Sequence, residues 1–177
     1  QSEPLSETKG LILSTTRSET TSVVSESSGL VAETDTYIIL ADDMTFIKGK
    51  GASYSDGVVT VCKGGTYRFR GELKNGRIVV NLKDDNDEVK LKFYGVNVSS
   101  STGAPVSVIK APGKVVIYSA DRMVNHFADT EERIYTYDEN AGDSAVIFSK
   151  EDIVFDGGGL LRISADFNKG ILCEKDE

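Results

Sequence analysis

Tyr67-Arg68-Phe69-Arg70-Gly71, Leu91-Lys92-Phe93-Tyr94-Gly95 and Val115-Val116-Ile117-Tyr118-Ser119 are three writings of one phrase, and they align without a gap. The large apolar residue recurs at positions 69, 93 and 117, an interval of 24. Inside each phrase apolar and polar side chains alternate, the period-two signature of a strand with one buried face. Tyr67, Leu91 and Val115 are expected to point inward with Phe69, Phe93 and Ile117. Arg68, Lys92 and Val116 then point outward, as do Arg70, Tyr94 and Tyr118. A strand that returns at an interval in the twenties implies a solenoid, because one coil cannot bury its apolar face until the next coil stacks on it. A leucine-rich repeat has a similar period but requires a Leu-x-x-Leu-x-Leu ladder that this chain lacks. The expected fold class is all-β, a parallel β-helix with turns of about 24 residues.

The phrase returns at Ile153-Val154-Phe155-Asp156-Gly157, 38 positions after Val115 and its neighbours, so one turn carries an insertion of about 14 residues. The polar stretch 128–143, rich in Asp and Glu, is the place for it. Each turn holds a second strand: Arg77-Ile78-Val79-Val80, Pro105-Val106-Ser107-Val108-Ile109, Ala145-Val146-Ile147-Phe148 and Gly170-Ile171-Leu172-Cys173. The last two align at 24, which sets the next primary strand near position 179, beyond Glu177. The domain is therefore expected over 35–177 with its last turn incomplete.

Outside that domain, residues 1–34 are dominated by Ser, Thr and Glu. Such a segment cannot bury enough apolar surface to offset its chain entropy and reads as a disordered linker or stalk. A chain that opens on Gln1 rather than Met suits an exported protein whose leader has been removed. Thr36-Tyr37-Ile38-Ile39-Leu40 is expected to be the first strand or a cap, since an open β-helix end exposes unpaired backbone groups. Thr45-Phe46-Ile47 and Val58-Val59-Thr60-Val61 follow, with Gly49, Gly51 and Gly57 at the corners, and residues 121–127 are the one stretch expected to form a helical turn. A net charge of −8 argues against a nucleic-acid partner, which needs a basic surface, and suits cations. No apolar run is long enough for a membrane-spanning helix. Cys62 and Cys173 fall at opposite ends of the stack, too far apart for a disulfide, which needs Cα atoms about 4.4–6.8 Å apart. Buried free thiols are expected.

Enzyme chemistry has little support. The one histidine, His126, has no Gly-x-Ser-x-Gly elbow to serve, and a lone histidine beside an alternating pattern is more often a surface or corner residue. Metal binding is better supported. The register sets Asp152 one turn from Asp176, and adjacent strands lie about 4.8 Å apart. Two carboxylates at that spacing repel unless protonated or bridged by a cation. Ca2+, with six to eight oxygen ligands, suits the pair, with Glu151, Asp166 or Asn168 and backbone carbonyls completing the shell. Asp84-Asp85-Asn86-Asp87 and Asp138-Glu139-Asn140 are further oxygen-rich loops without EF-hand spacing. Sugar binding has its own signal: Tyr94 and Tyr118 share an outward column at this interval, beside Arg68, Arg70 and Lys92. Stacked tyrosines with cationic neighbours form an amphipathic strip that fits pyranose faces and uronate carboxylates.

Gly64-Gly65-Thr66-Tyr67-Arg68-Phe69-Arg70-Gly71-Glu72-Leu73 and Phe93-Tyr94-Gly95-Val96-Asn97-Val98-Ser99-Ser100-Ser101 carry a family resemblance. So do Ala104-Pro105, Lys114-Val115-Val116-Ile117 and Ala145-Val146-Ile147-Phe148-Ser149-Lys150-Glu151-Asp152-Ile153. In order and spacing they resemble the bacterial secreted carbohydrate-binding domain-containing proteins, whose fold is a right-handed parallel β-helix similar to pectate lyases. The resemblance implies a calcium-containing, non-catalytic module that binds plant cell-wall polysaccharide such as cellulose or polygalacturonate. It transfers no sugar-binding residue. Members of that family continue for further turns, so a stack that stops here is expected to dimerise through its open end. The alternatives are a cell-surface structural or adhesive solenoid without a glycan and, further off, a polysaccharide lyase with Arg122 as its base.

Overall fold

The structure, a computed structural model, describes residues 35–83, 87–131 and 145–174. The stalk expected over 1–34, residues 84–86, Asp176 and, of the insertion expected over 128–143, residues 132–143 lie outside them, while Ala128 and Asp129 end a strand. The described residues are all-β: β1 (Thr36–Leu40), β2 (Phe46–Lys48), β3 (Ala52–Ser55), β4 (Val58–Val61), β5 (Gly65–Leu73), β6 (Arg77–Asn81), β7 (Val89–Ser100), β8 (Val106–Lys110), β9 (Val115–Ser119), β10 (Val124–Asp129), β11 (Ala145–Ser149), β12 (Ile153–Asp156), β13 (Leu160–Ser164) and β14 (Lys169–Cys173). No helix among the described residues is long and apolar enough to cross a membrane.

The strands form two sheets. One runs β12-β9-β7-β5-β1-β2, with β10 and β13 attached beside it, and the other runs β14-β11-β8-β6-β4-β3. Every pairing between successive coils is parallel, which is consistent with a parallel β-helix. The two antiparallel pairs, β1 with β2 and β3 with β4, stand at one end of each sheet. They are the cap anticipated at the N-terminal end of the stack: a short chain reversal occupies the edge that the first coil would otherwise leave open.

The alternation of each phrase becomes the core. Tyr67, Phe69, Leu91, Phe93, Val115 and Ile117 are all buried in one apolar cluster with Val59, Ile78, Val80, Val106 and Val108 from the opposite sheet. The Phe69 and Phe93 ring centroids lie 5.4 Å apart, and Phe127 joins them at 5.0 Å from Phe93. Burying such a side chain contributes about 1.5–3 kcal/mol. Tyr67 is tolerated inside because its hydroxyl donates to the carbonyl of Lys63 at 2.7 Å.

The constant interval does not survive. Phe69 pairs with Phe93, 24 positions on, and Ile147 with Ile171 at the same step. Leu91, however, pairs with Ile117, so β7 to β9 is a step of 26 and Phe93 faces Ser119 instead. The step from Val115 to Ile153 is the expected 38. Corners lie off the ladders and absorb residues freely, and because this slip is even, the inward side chains stay inward.

Residues 121–127 do not form a helical turn. Val124–Asp129 is β10, which pairs with β7 through His126 and Asn97 and with β13 through His126 and Arg162. β10 fits there because β5 and β7 are long strands that pass through a bend at Gly71 and Gly95, with φ of 97° and 75°. At Gly71 a Cβ would lie 2.3 Å from the carbonyl oxygen of Leu40, so only glycine allows the coils to approach at this corner. The pairing slips by one residue on β7 at the same place, from Phe69↔Phe93 to Gly71↔Val96. The bend strands the amides of Gly95 and Val96, and the fully buried Asn125 accepts both with its Oδ1 at 2.9 Å. Its Nδ2 donates to the Ser119 hydroxyl at 2.7 Å and to the Phe93 carbonyl at 3.3 Å.

Cys62 and Cys173 are both free thiols, as expected, but neither is fully buried. Cys62 follows β4 at a corner, and Cys173 lies exposed on the last described coil, with no described strand beyond it. Asn125→Ala removes the acceptor for the Gly95 and Val96 amides, of which the buried Val96 amide costs about 1–3 kcal/mol when left unsatisfied. A lower urea midpoint at unchanged m is the expected outcome of equilibrium unfolding.

Candidate functional site

The outward face of β1, β5, β7, β9 and β12 carries a continuous column: Tyr37, Arg68, Lys92, Tyr118 and Asp156, each paired with the next across the sheet. Tyr94 is not in it. The expected stacking of Tyr94 on Tyr118 depended on a step of 24, and the step of 26 sets Tyr118 opposite Lys92. The column therefore sets two cations between two tyrosines and ends on a carboxylate. Lys92 Nζ lies 5.1 Å from the Tyr118 ring centroid, within cation–π range.

Arg68 is the best-anchored residue of the strip. Its Nε donates to Asp35 Oδ2, and its Nη1 donates to the Tyr94 hydroxyl at 2.6 Å. Its guanidinium carbon lies 5.8 Å from the Tyr37 ring centroid and 5.7 Å from that of Tyr94. Asp35 is 8% exposed at its side chain, so this is a sheltered ion pair. Burial works against the guanidinium's charge, but the Asp35 hydrogen bond and the attraction of Tyr94, Asp35 and Tyr37 outweigh it, and its pKa is raised above the ordinary value. Arg68 is thus permanently charged.

Beside this clamp is a groove of about 350 Å³ lined by Tyr37, Ile39, Arg68, Arg70 and Tyr94 over the β1 and β5 backbone. Arg70 is exposed and makes no hydrogen bond or ion pair with a described residue. Ile39 is 47% exposed and pairs across β1 and β2 with Phe46, which is 58% exposed, so an apolar ledge borders the groove. Of the five sugar-binding candidates, Arg68, Arg70 and Tyr94 meet in the groove, while Lys92 and Tyr118 form a separate platform further along the sheet. Tyr37 and Ile39 complete the site without having been singled out from the sequence.

The metal candidates do not converge. No three or more His, Cys, Asp or Glu side chains among the described residues are grouped to hold an ion. Glu151 Oε1 accepts from the Ala111 amide at 3.3 Å, which gives that carboxylate a structural use. Asp166 and Asn168 stand in the turn between β13 and β14, where the amides of Asp166 and Phe167 donate to Asp129 Oδ1 at 2.7 and 3.1 Å. Asp152 is exposed, and its proposed partner Asp176 lies outside the described residues. His126 is an outward residue of β10, with Nε2 2.9 Å from the Ser164 hydroxyl, and no catalytic partner accompanies it among the described residues. Arg122 sits exposed in the corner between β9 and β10 with φ of 62°.

Asp35→Asn leaves a sheltered guanidinium without its counter-charge, and the expected loss is about 1–3 kcal/mol. Lys74→Ala, which breaks the exposed 3.8 Å pair with Asp42, is expected to change stability by less than about 1 kcal/mol. Urea midpoints of the two variants measure the contrast.

Comparison with known proteins matches this architecture. A solved structure, the polysaccharide lyase-like protein from C. thermocellum as a gadolinium derivative, superposes with a TM-score of 0.71 at 31% identity, covering 78% of this chain and 56% of that one. A carbohydrate-binding domain-containing protein of Acetivibrio thermocellus is 34% identical over 126 residues, 71% of this chain and 43% of its own length. The chain thus spans about half the length of the relatives it matches. A family model described as carbohydrate-binding domain-containing protein covers residues 55–177. With most of its length inside that match, the chain belongs to the family of carbohydrate-binding domain-containing proteins.

Proposed function

We propose that this chain is an exported, non-catalytic polysaccharide-binding module folded as a right-handed parallel β-helix, and that the glycan lies along the outward face of the sheet containing β1, β5 and β7. Right-handedness follows from the crossover preference of parallel strands, about 98% of which turn that way. The observation that carries the reading is the groove in which Tyr37, Tyr94 and the cation of Arg70, whose side chain has no partner among the described residues, come together. Aromatic rings supply flat apolar surface for the faces of pyranose rings, and a free guanidinium supplies paired donors for a uronate carboxylate. Cellulose and polygalacturonate are the two glycans that separate these contributions, one neutral and one anionic. Export to the bacterial cell surface is part of the same reading and rests on the Ser-, Thr- and Glu-rich residues 1–34.

Ca2+ belongs to the proposal as a cation at Asp152 and Asp176. Its support is that the polysaccharide lyase-like relative was solved as a gadolinium derivative, gadolinium being, like calcium, a hard cation that prefers oxygen ligands. A second reading, a structural or adhesive solenoid, is favoured by one observation. Val154, Phe155, Leu160 and Ile171 of β12 to β14 are each between 40% and 52% exposed, an apolar surface suited to a second copy of the chain.

Retention on insoluble polygalacturonate and on cellulose decides between them. Wild-type protein is expected to be retained and Tyr94→Ala to lose about tenfold in affinity, the scale of one aromatic anchor. Terbium luminescence that is displaced by calcium and lost in Asp152→Asn is the expected signature of the metal. Concentration-dependent dimerisation without glycan retention would instead favour the adhesive reading, and an ultraviolet-absorbing unsaturated product would reinstate the lyase with Arg122.

A further inference from the structure

We infer that Arg68 is a positioning residue and does not itself contact the glycan: held by Asp35, its guanidinium fixes Tyr37 and Tyr94 as walls of the groove and leaves Arg70 as the cation that meets the ligand. The inference rests on the polysaccharide-binding reading and divides the labour within that site. A guanidinium has N–H donors in a fixed fork and two flat faces. In Arg68 the Nε is committed to Asp35 and the Nη1 to the Tyr94 hydroxyl. The Tyr37 and Tyr94 rings both lie within 5.8 Å of its guanidinium carbon. Its charge is matched by a carboxylate that is 8% exposed, and its own side chain is 27% exposed. Two of its five N–H donors are thus spent, the Nε edge is closed to a second carboxylate by Asp35, and its charge is already matched.

Arg70 differs at each point. It lines the same groove, is exposed, and makes no ion pair or hydrogen bond with a described residue. A bound uronate therefore finds the donors of Arg70 unspent. The clamp has a consequence for affinity as well. Free tyrosine side chains lose rotamer freedom when a ligand stacks on them, whereas rings already held by Arg68 have lost it on folding. Lysine cannot replace Arg68, because a single ammonium cannot serve Asp35 and the Tyr94 hydroxyl from a planar fork while presenting flat faces to two rings.

The chain has no tryptophan and 7 tyrosines, so ring resonances in the NMR spectrum of the free protein report on the walls directly. Arg68→Lys is expected to broaden or shift the Tyr37 and Tyr94 ring signals and leave the other described tyrosines as they were. The same variant should weaken polygalacturonate binding about tenfold, with the wild-type salt dependence retained. Arg70→Gln should leave every ring signal in place, weaken binding and flatten the salt dependence, because a screened charge contact has gone. Tyr94→Phe, which deletes only the hydroxyl, covers the case in which Arg68→Lys fails to fold and should loosen the same two rings. Unchanged Tyr37 and Tyr94 signals in Arg68→Lys together with an unchanged Tyr37 signal in Tyr94→Phe, or a flattened salt dependence in Arg68→Lys, would overturn the assignment. If wild-type protein binds no polygalacturonate, the anionic-glycan reading falls, while the ring signals still decide whether Arg68 is a clamp.

Discussion

Parallel pairing between coils is the constraint from which the rest of this structure follows. A strand such as β5 has apolar side chains on its inner face and a full set of backbone donors and acceptors along its edges. Neither requirement can be met within its own coil. Both are met by the neighbours: Gly65–Leu73 pairs with β1 on one side and β7 on the other, and the same contact stacks Phe69 on Phe93. Hydrogen bonding and burial are thus one interaction. The antiparallel strands β2 and β3 answer the same constraint at one end of each sheet, where they pair with β1 and β4 in place of a parallel neighbour. Val154, Phe155, Leu160 and Ile171, on the coil with no further described strand beside it, are between 40% and 52% exposed.

Much of this was readable because parity and register carry different information. Alternation within a phrase sets which side chains point inward, and the core contains Tyr67, Phe69, Leu91, Phe93, Val115 and Ile117 as expected. Register depends in addition on the residues in the corners, which no periodicity reveals. The even slip between β7 and β9 preserved every inward assignment and moved every outward neighbour, so the core was anticipated and the column of tyrosines was not. β10 was missed for a different reason. Its inward residues are Asn125, Phe127 and Asp129, and two polar groups facing the core hide the period-two pattern. They face inward because bent and turned backbone nearby needs acceptors: Asn125 for Gly95 and Val96, Asp129 for Asp166 and Phe167.

The candidate site was half visible for the same reason. Arg68, Arg70 and Tyr94 lie on strands that run at a step of 24 up to Phe69 and Phe93, and the one-residue slip that follows is small enough that the sequence alone brings them together. Tyr37 belongs to the cap, 31 positions from its neighbour Arg68, and no repeat leads to it. Asp35 precedes the first strand and had no reason to be noticed, yet it supplies the counter-charge for the clamp. Charge identity was likewise not enough to assign roles. Arg68 and Arg70 are two residues apart on one outward face, and what separates them is the company each keeps: a carboxylate and two rings for one, solvent for the other.

The acidic composition has to be reinterpreted on the same grounds. From the sequence, a net charge of −8 invites cation binding. In the structure, several carboxylates at corners are occupied by backbone amides that the ladders leave behind. Asp42 accepts from the Lys74 amide at 2.7 Å, Asp121 from Gly158 at 2.9 Å, Asp156 from Gly157 at 2.7 Å and Asp129 from two amides at once. A solenoid turns a corner several times per coil, each turn strands donors, and Asp is short enough to reach them without leaving the corner. A carboxylate whose oxygens accept from amides in this way has fewer lone pairs left to offer a metal. Acidic residues at the corners and strand ends of such a fold, Asp129 of β10 and Asp156 of β12 among them, are therefore a poor guide to cation sites.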